Sequence, residues 1–162
     1  MAIIYCDMDG VLADFKTAAV RTTGMSINKW MNIPSSKEKW SLIKQKKDFW
    51  STLPWMPGGR QLWSYISKHD PHILSAYVEE SFDPNCIPGK TAWLRKNTGL
   101  SNRSKINLVR RKDKKLFAKR GKPSILIDDY EKNVREFIAN GGQAIHHTNT
   151  SKTISQLKRL GF

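Results

Sequence analysis

The chain has 162 residues, 39% of them apolar and 10% aromatic, which suits one domain with its own core and excludes disorder throughout. No stretch approaches the ~18 apolar residues of a membrane span, and Asp7 comes too early for the apolar core of a signal peptide. Lys and Arg number 28 against 14 Asp and Glu, a net charge of +14. The excess is concentrated: Lys90 to Lys122 holds thirteen Lys or Arg and one acid, Asp113. Such a field draws polyanions, nucleic acid among them, though it also serves simply to keep a surface solvated. Cys6 and Cys86 lie far apart, with no Cys-x-x-Cys and no His at ligand spacing, which excludes a disulfide scaffold and argues against zinc. A cytoplasmic place is expected, in a host cell if the chain is phage-encoded. Nothing indicates a membrane partner or an oligomeric state.

In chain order, Ala2 to Cys6 reads as a buried strand, and Val11 to about Thr23 as a helix that stops at Gly24. Residues 25–57 differ in composition: Trp30, Trp40, Phe49, Trp50 and Trp55 alternate with lysines and are punctuated by prolines. A small helical insertion is expected there, a cap on an α/β core formed by 1–24 and 58–162. Arg60 to Lys68 reads as a helix, His72 to Ser75 as a strand and Lys90 to Lys96 as a helix. Lys105 to Val109 is a strand and Asp113 to Lys119 a helix. Ser124 to Ile127 is the clearest strand, between Lys122-Pro123 and Asp128-Asp129. Asn133 to Asn140 is a helix closed by Gly141-Gly142, Ala144 to His146 a strand and Thr153 to Leu160 a helix. Strands alternating with helices predict an α/β fold: a three-layer, Rossmann-like arrangement around a central parallel sheet, with ligands at the carboxyl ends of the strands.

The acids fall where that fold would use them. Asp7 and Asp9 follow the first strand, and Asp128 and Asp129 follow the clearest one. Clustered carboxylates repel unless a cation neutralises them, and a hard divalent ion such as Mg²⁺ suits oxygen ligands. Gly10 lets the chain turn tightly after the first pair. An acid-x-acid-Gly turn alone is common and often structural. Together with Leu12, Ser75 and Asp128-Asp129 at successive strand ends, the pattern is far more specific.

On these residues the chain resembles the haloacid dehalogenase superfamily of aspartate-nucleophile phosphatases. Within it, Asp7-Met-Asp-Gly-Val-Leu-Ala-Asp-Phe15 is similar to the opening of the 5'(3')-deoxyribonucleotidases. Phe49-Trp-Ser-Thr-Leu-Pro-Trp-Met-Pro-Gly58, Lys90-Thr-Ala-Trp93, Lys112-Asp-Lys114 and Leu126-Ile-Asp-Asp129 extend the likeness in the same order, from about Ala2 to His147. Ser75-Ala76 stands where that family tends to have Thr-Ser, and the spacing from Lys114 to Asp128 is longer than usual, so Lys115 rivals Lys114.

The resemblance implies Asp7 as nucleophile, Asp9 as general acid and base, and Ser75 and Lys114 as phosphate contacts. It implies a Mg²⁺ site from Asp7, Asp9 (through its carbonyl), Asp128 and Asp129, with Ala76 at the substrate and Lys90 either a second phosphate contact or a positioner of the acidic pair. Phe15, Phe49 and Trp50 are the candidates to stack on a nucleobase, with plain core packing as the alternative for each. Cys6 is expected to be an inert buried thiol, and the four histidines structural or exposed. The expected activity is Mg²⁺-dependent hydrolysis of deoxyribonucleoside monophosphates. The alternatives are hydrolysis of the terminal phosphates of DNA or RNA, favoured by the basic 90–122 stretch, and a non-catalytic nucleic-acid-binding module.

Overall fold

The computed structural model describes residues 2–119 and 123–162, so Arg120 and Lys122, the last cations of the basic stretch, lie outside the described residues. Five strands, β1 (Ile3–Cys6), β2 (His72–Ala76), β3 (Ile106–Val109), β4 (Ser124–Asp128) and β5 (Gln143–His146), form one all-parallel sheet in the order β3-β2-β1-β4-β5. The expected α/β architecture is thereby observed. The helices are α1 (Phe15–Thr23), α2 (Ile27–Met31), α3 (Ser36–Gln45), α4 (Gly59–Ile66), α5 (Cys86–Thr98), α6 (Glu131–Ala139) and α7 (Thr150–Arg159). Among the described residues no helix is long and apolar enough to cross a membrane.

By packing, the chain divides into two compact units. One is 1–13, 55–76 and 102–162; the other is 14–54 and 77–101. The α/β unit holds the whole sheet. Its central strand β1 is buried from Ile4 onward, and all five residues of β4 are buried, as a parallel sheet covered by helices requires. One cluster of this core joins Tyr5, Leu74 and Leu126 of the sheet to Phe117 and Phe137. The second unit contains residues 25–54 of the expected insertion together with α1 and α5, while residues 55–57 belong to the α/β unit. Its centre is aromatic. Phe15 and Trp50 stack with ring centroids 5.4 Å apart and planes 22° apart, and Phe49, Trp30 and Trp40 close around them.

Several boundaries differ from the sequence reading for local reasons. α1 begins at Phe15 rather than Val11, because the N–H groups of Val11, Leu12 and Ala13 all turn back to the Met8 carbonyl. Asp14 then caps the helix, accepting from the Thr17 N–H at 3.1 Å. α7 begins at Thr150, since Asn149 accepts from the Lys152 N–H at 2.9 Å and starts it three residues earlier than expected. The helix expected from Asp113 is a 3-10 helix running Arg111–Lys119, tighter than an α-helix.

Candidate active site

The register of the sheet builds the site. In the ladder between β1 and β4, Cys6 lies opposite Ile127, and the Asp7 N–H donates to the Ile127 carbonyl at 2.9 Å. The next residues on the two strands, Asp7 and Asp128, therefore meet at the same carboxyl edge. Both are buried, at 4% and 0% exposure. Past Asp7 the chain folds into a small hook around the Met8 carbonyl. Gly10 sits there at φ +82°, and a Cβ on it would collide with the Asp129 carboxylate. Glycine is therefore required twice over at this position.

Lys114 enters from the 3-10 helix after β3. Its side chain is 3% exposed, with Nζ 3.1 Å from Asp7 Oδ1 and 2.8 Å from Asp128 Oδ2. Burial opposes the ammonium, but the charges of Asp7 and Asp128 more than offset it, and the pKa is raised. Lys114, rather than its rival Lys115, is thus the lysine that reaches the acids. The Asp7 carboxylate is steadied further by the Met8 N–H, which donates to Oδ1 at 2.8 Å.

Asp7, Asp128 and Asp129 offer carboxylate oxygens that all lie within 4.8 Å of one another. Burial first, then the charge of Asp7, pushes Asp128 up to about 6; the same causes, with Asp128 added, push Asp129 up to about 7. One lysine leaves this group of carboxylates short of positive charge. A hard divalent cation fits such clustered oxygen donors.

Residues beyond those expected complete the arrangement. Asn133 of α6, 5% exposed, donates through Nδ2 to Asp128 Oδ2 at 3.1 Å, while the Tyr130 N–H donates to Oδ1 at 2.9 Å. Arg111 donates to Asn133 Oδ1 at 3.0 Å and to Glu136 Oε2 at 3.2 Å. Holding the amide oxygen obliges the amide nitrogen to face Asp128. His146 Nε2 donates to the Asp129 carbonyl at 3.0 Å, and the His147 N–H donates to the Asp128 carbonyl at 2.9 Å. The His146 ring thus supports the acidic pair through the Asp129 carbonyl, whereas His147 does so only through its main-chain N–H, its ring pairing with Thr153 Oγ1.

The remaining expected residues are distributed as follows. Asp9 lies in the hook, two residues past Asp7. Ser75, fully buried, and Ala76 close β2 at the carboxyl edge. Cys6 is buried, and burial followed by the charges of Asp7 and Asp128 raises its pKa, as an inert thiol requires. Lys90, Phe15, Phe49 and Trp50 belong to the second unit. Lys90 is fully buried on α5, with Nζ 5.3 Å from the centroid of the Trp50 ring. Phe49 and Trp50 are each 1% exposed, and the Trp50 Nε1–H donates to Asp83 at 2.7 Å. Those two rings pack as core instead of offering an open stacking face; Phe15 alone of the three stays half-buried.

No family model matches the chain, nor does any curated protein. Solved structures do. The L-2-haloacid dehalogenase from Xanthobacter autotrophicus aligns with a TM-score of 0.58 at 12% identity, over 100% of this chain and 84% of its own. The chain has the haloacid dehalogenase fold. A hydrolase from Streptococcus pneumoniae TIGR4 shares this fold, with a TM-score of 0.54 at 11% identity over 96% of this chain and 97% of its own. So does a HAD-family hydrolase from Deinococcus radiodurans R1 with bound phosphate and sodium, at 0.52 and 12% over 99% and 88%.

Proposed function

We propose that the chain is a Mg²⁺-dependent phosphomonoesterase that hydrolyses nucleotides, deoxyribonucleoside monophosphates first among them, through an aspartyl-phosphate. The observation that carries this reading is Lys114, buried between Asp7 and Asp128 with Asp129 beside them. A phosphate monoester is anionic, so a nucleophilic carboxylate needs fixed positive charge around it. Lys114 supplies part of that charge and holds Asp7 in one orientation. Asp7, Asp128 and Asp129, with the Asp9 carbonyl, would hold Mg²⁺, which when bound neutralises the rest of the charge on the phosphoryl oxygens.

Asp7 attacks phosphorus as the bond to the leaving nucleoside oxygen breaks, and Asp9 gives that oxygen its proton. Asp9 then takes a proton from water as the water oxygen attacks phosphorus. The Asp7–phosphorus bond breaks and inorganic phosphate leaves. Ser75 and the Ala76 backbone, at the end of β2, would hold phosphoryl oxygens. A phosphate bound by a protein of the same fold supports this class of substrate.

The sequence likeness to deoxyribonucleotidases supports the nucleotide. Phe15, with surface still available, is the ring to contact a base, while Phe49 and Trp50 back it and Lys90 steadies Trp50. The test is phosphate release with Mg²⁺ or a chelator, from 5'- and 3'-deoxyribonucleotides, ribonucleotides and a sugar phosphate. Chelator-sensitive turnover of the deoxynucleotides is expected. Turnover of the sugar phosphate alone would remove the nucleotide from the reading, and no turnover at all would remove the enzyme.

A further inference from the structure

The α/β unit carries seventeen Lys and Arg against eight acids. Four of those acids are the site quartet Asp7, Asp9, Asp128 and Asp129, and two more, Asp70 and Glu136, are held by Lys105 and Arg111. Among the described residues outside the site, then, fourteen cations besides Lys114 stand against four acids. The sheet topology places exposed cations, from the basic stretch and from the later helices, at both edges of the unit. At the carboxyl edge, exposed Lys112 stands two residues before Lys114, and exposed Lys132 stands one before Asn133, whose amide is on Asp128. Exposed Lys152 lies in the first turn of α7, which follows β5. Arg103, ahead of β3, and Lys158 and Arg159, at the end of α7, carry exposed positive charge to the other edge.

A single nucleotide presents its phosphate at one edge only. Positive charge that begins beside a phosphate site and continues to the opposite edge is matched to a polymer of phosphates. We propose that this unit binds a single nucleic-acid strand along its cationic surface and takes the strand's terminal phosphate as a further substrate. The step is the one described above, and the inference rests on that reading. Water is consumed, the terminal phosphorus–oxygen ester bond breaks, and inorganic phosphate and a strand ending in a hydroxyl are the products. A strand fits better than an anionic membrane because the lysines at the carboxyl edge flank a site suited to a terminal phosphate.

The experiment uses the full chain with Mg²⁺ and short single-stranded oligonucleotides ending in a 5'- or 3'-phosphate or in hydroxyls only. Phosphate release is measured, along with fluorescence anisotropy on the Asp7→Asn variant and on vesicles of anionic lipid. Binding should fall steeply with salt, and Lys112→Glu, Lys132→Glu and Lys152→Glu together should lower the log–log salt slope by about 2. The same triple variant should raise the KM for the phosphorylated oligonucleotide about tenfold, with deoxynucleotide kcat/KM changed less than about twofold. Hydrolysis of deoxynucleotides with no oligonucleotide binding or dephosphorylation would overturn this inference alone. Oligonucleotide binding with no hydrolysis of any phosphate ester would overturn the proposed function and the strand-end substrate with it. Vesicle binding in place of oligonucleotide binding would assign the surface to membranes instead.

Discussion

The two compact units achieve order by opposite means. In the α/β unit the decisive residues are charged, and the sheet register sets them: two neighbouring strands stop at the same level and leave Asp7 and Asp128 side by side, with Lys114 between them. In the second unit the decisive residues are rings. Phe15, Trp30, Trp40, Phe49 and Trp50 pack on one another, with a single buried carboxylate, Asp83, receiving the Trp50 N–H. A charged cluster stores repulsion and needs a counter-ion, whereas an aromatic cluster needs only shape. The first should therefore respond to metal and pH, and the second to changes of volume.

The largest expected effect is on chemistry. Asp7→Asn removes the nucleophile while leaving the fold intact, and turnover should drop by about 10⁴-fold or more with an unchanged circular dichroism spectrum. Next come stability changes that separate the units. Lys114→Met leaves Asp7 and Asp128 without their buried counter-charge and should cost about 3 kcal/mol in denaturant unfolding with chelator present, less with Mg²⁺ added. Trp50→Ala opens a cavity in the aromatic cluster and should cost about 3–5 kcal/mol whether or not Mg²⁺ is present. Equal Mg²⁺ rescue of both variants would break the contrast.

Legibility followed the same division. The acidic quartet could be read in advance because apolar runs of strand length end in acids twice, and parallel sheets bind ligands at that end. The strands were recovered almost to the residue for the same reason. Asn133 gave no such signal: an Asn in the first turn of a helix reads as a helix-start residue, and its contact with Asp128 depends on the turn at Asp129-Tyr130. Arg111 was hidden inside a basic run, where nothing local distinguishes a residue that fixes an amide from one that faces water. The Phe49 and Trp50 rings were legible as aromatic but not as buried, because their partners, Phe15, Trp40 and Asp83, come from other segments.

Smaller effects are expected within the charged unit. Arg111 acts through Asn133 as a positioning residue. Arg111→Ala should lower kcat about tenfold and raise the Mg²⁺ needed for half-activity, with substrate KM nearly unchanged and Arg111→Lys recovering part of the loss. An effect on melting temperature alone would reduce Arg111 to a structural contact.

The pH response is smaller again. Asp128 at about 6 and Asp129 at about 7 lie above the ordinary 3.8, so between those values the folded chain binds more protons than the unfolded one. Without metal, these two groups make the fold more stable as pH falls from about 8 to 5 and less stable as it rises. Mg²⁺ must displace the same protons, so its stabilisation should be larger at pH 8 than at pH 5. Melting curves with Mg²⁺ and with chelator at the two pH values measure it, and equal Mg²⁺ shifts would contradict the assignment of this pair to the metal.

In the proposed reaction Asp7 carries the phosphoryl group. This step is tested most directly by acid quench during turnover of a deoxynucleotide, followed by peptide mass spectrometry. One phosphoryl group is expected on the peptide containing Asp7, absent in Asp7→Asn and absent when chelator replaces Mg²⁺. Steady phosphate release with that peptide unmodified, or with the phosphoryl group on another residue, would contradict it.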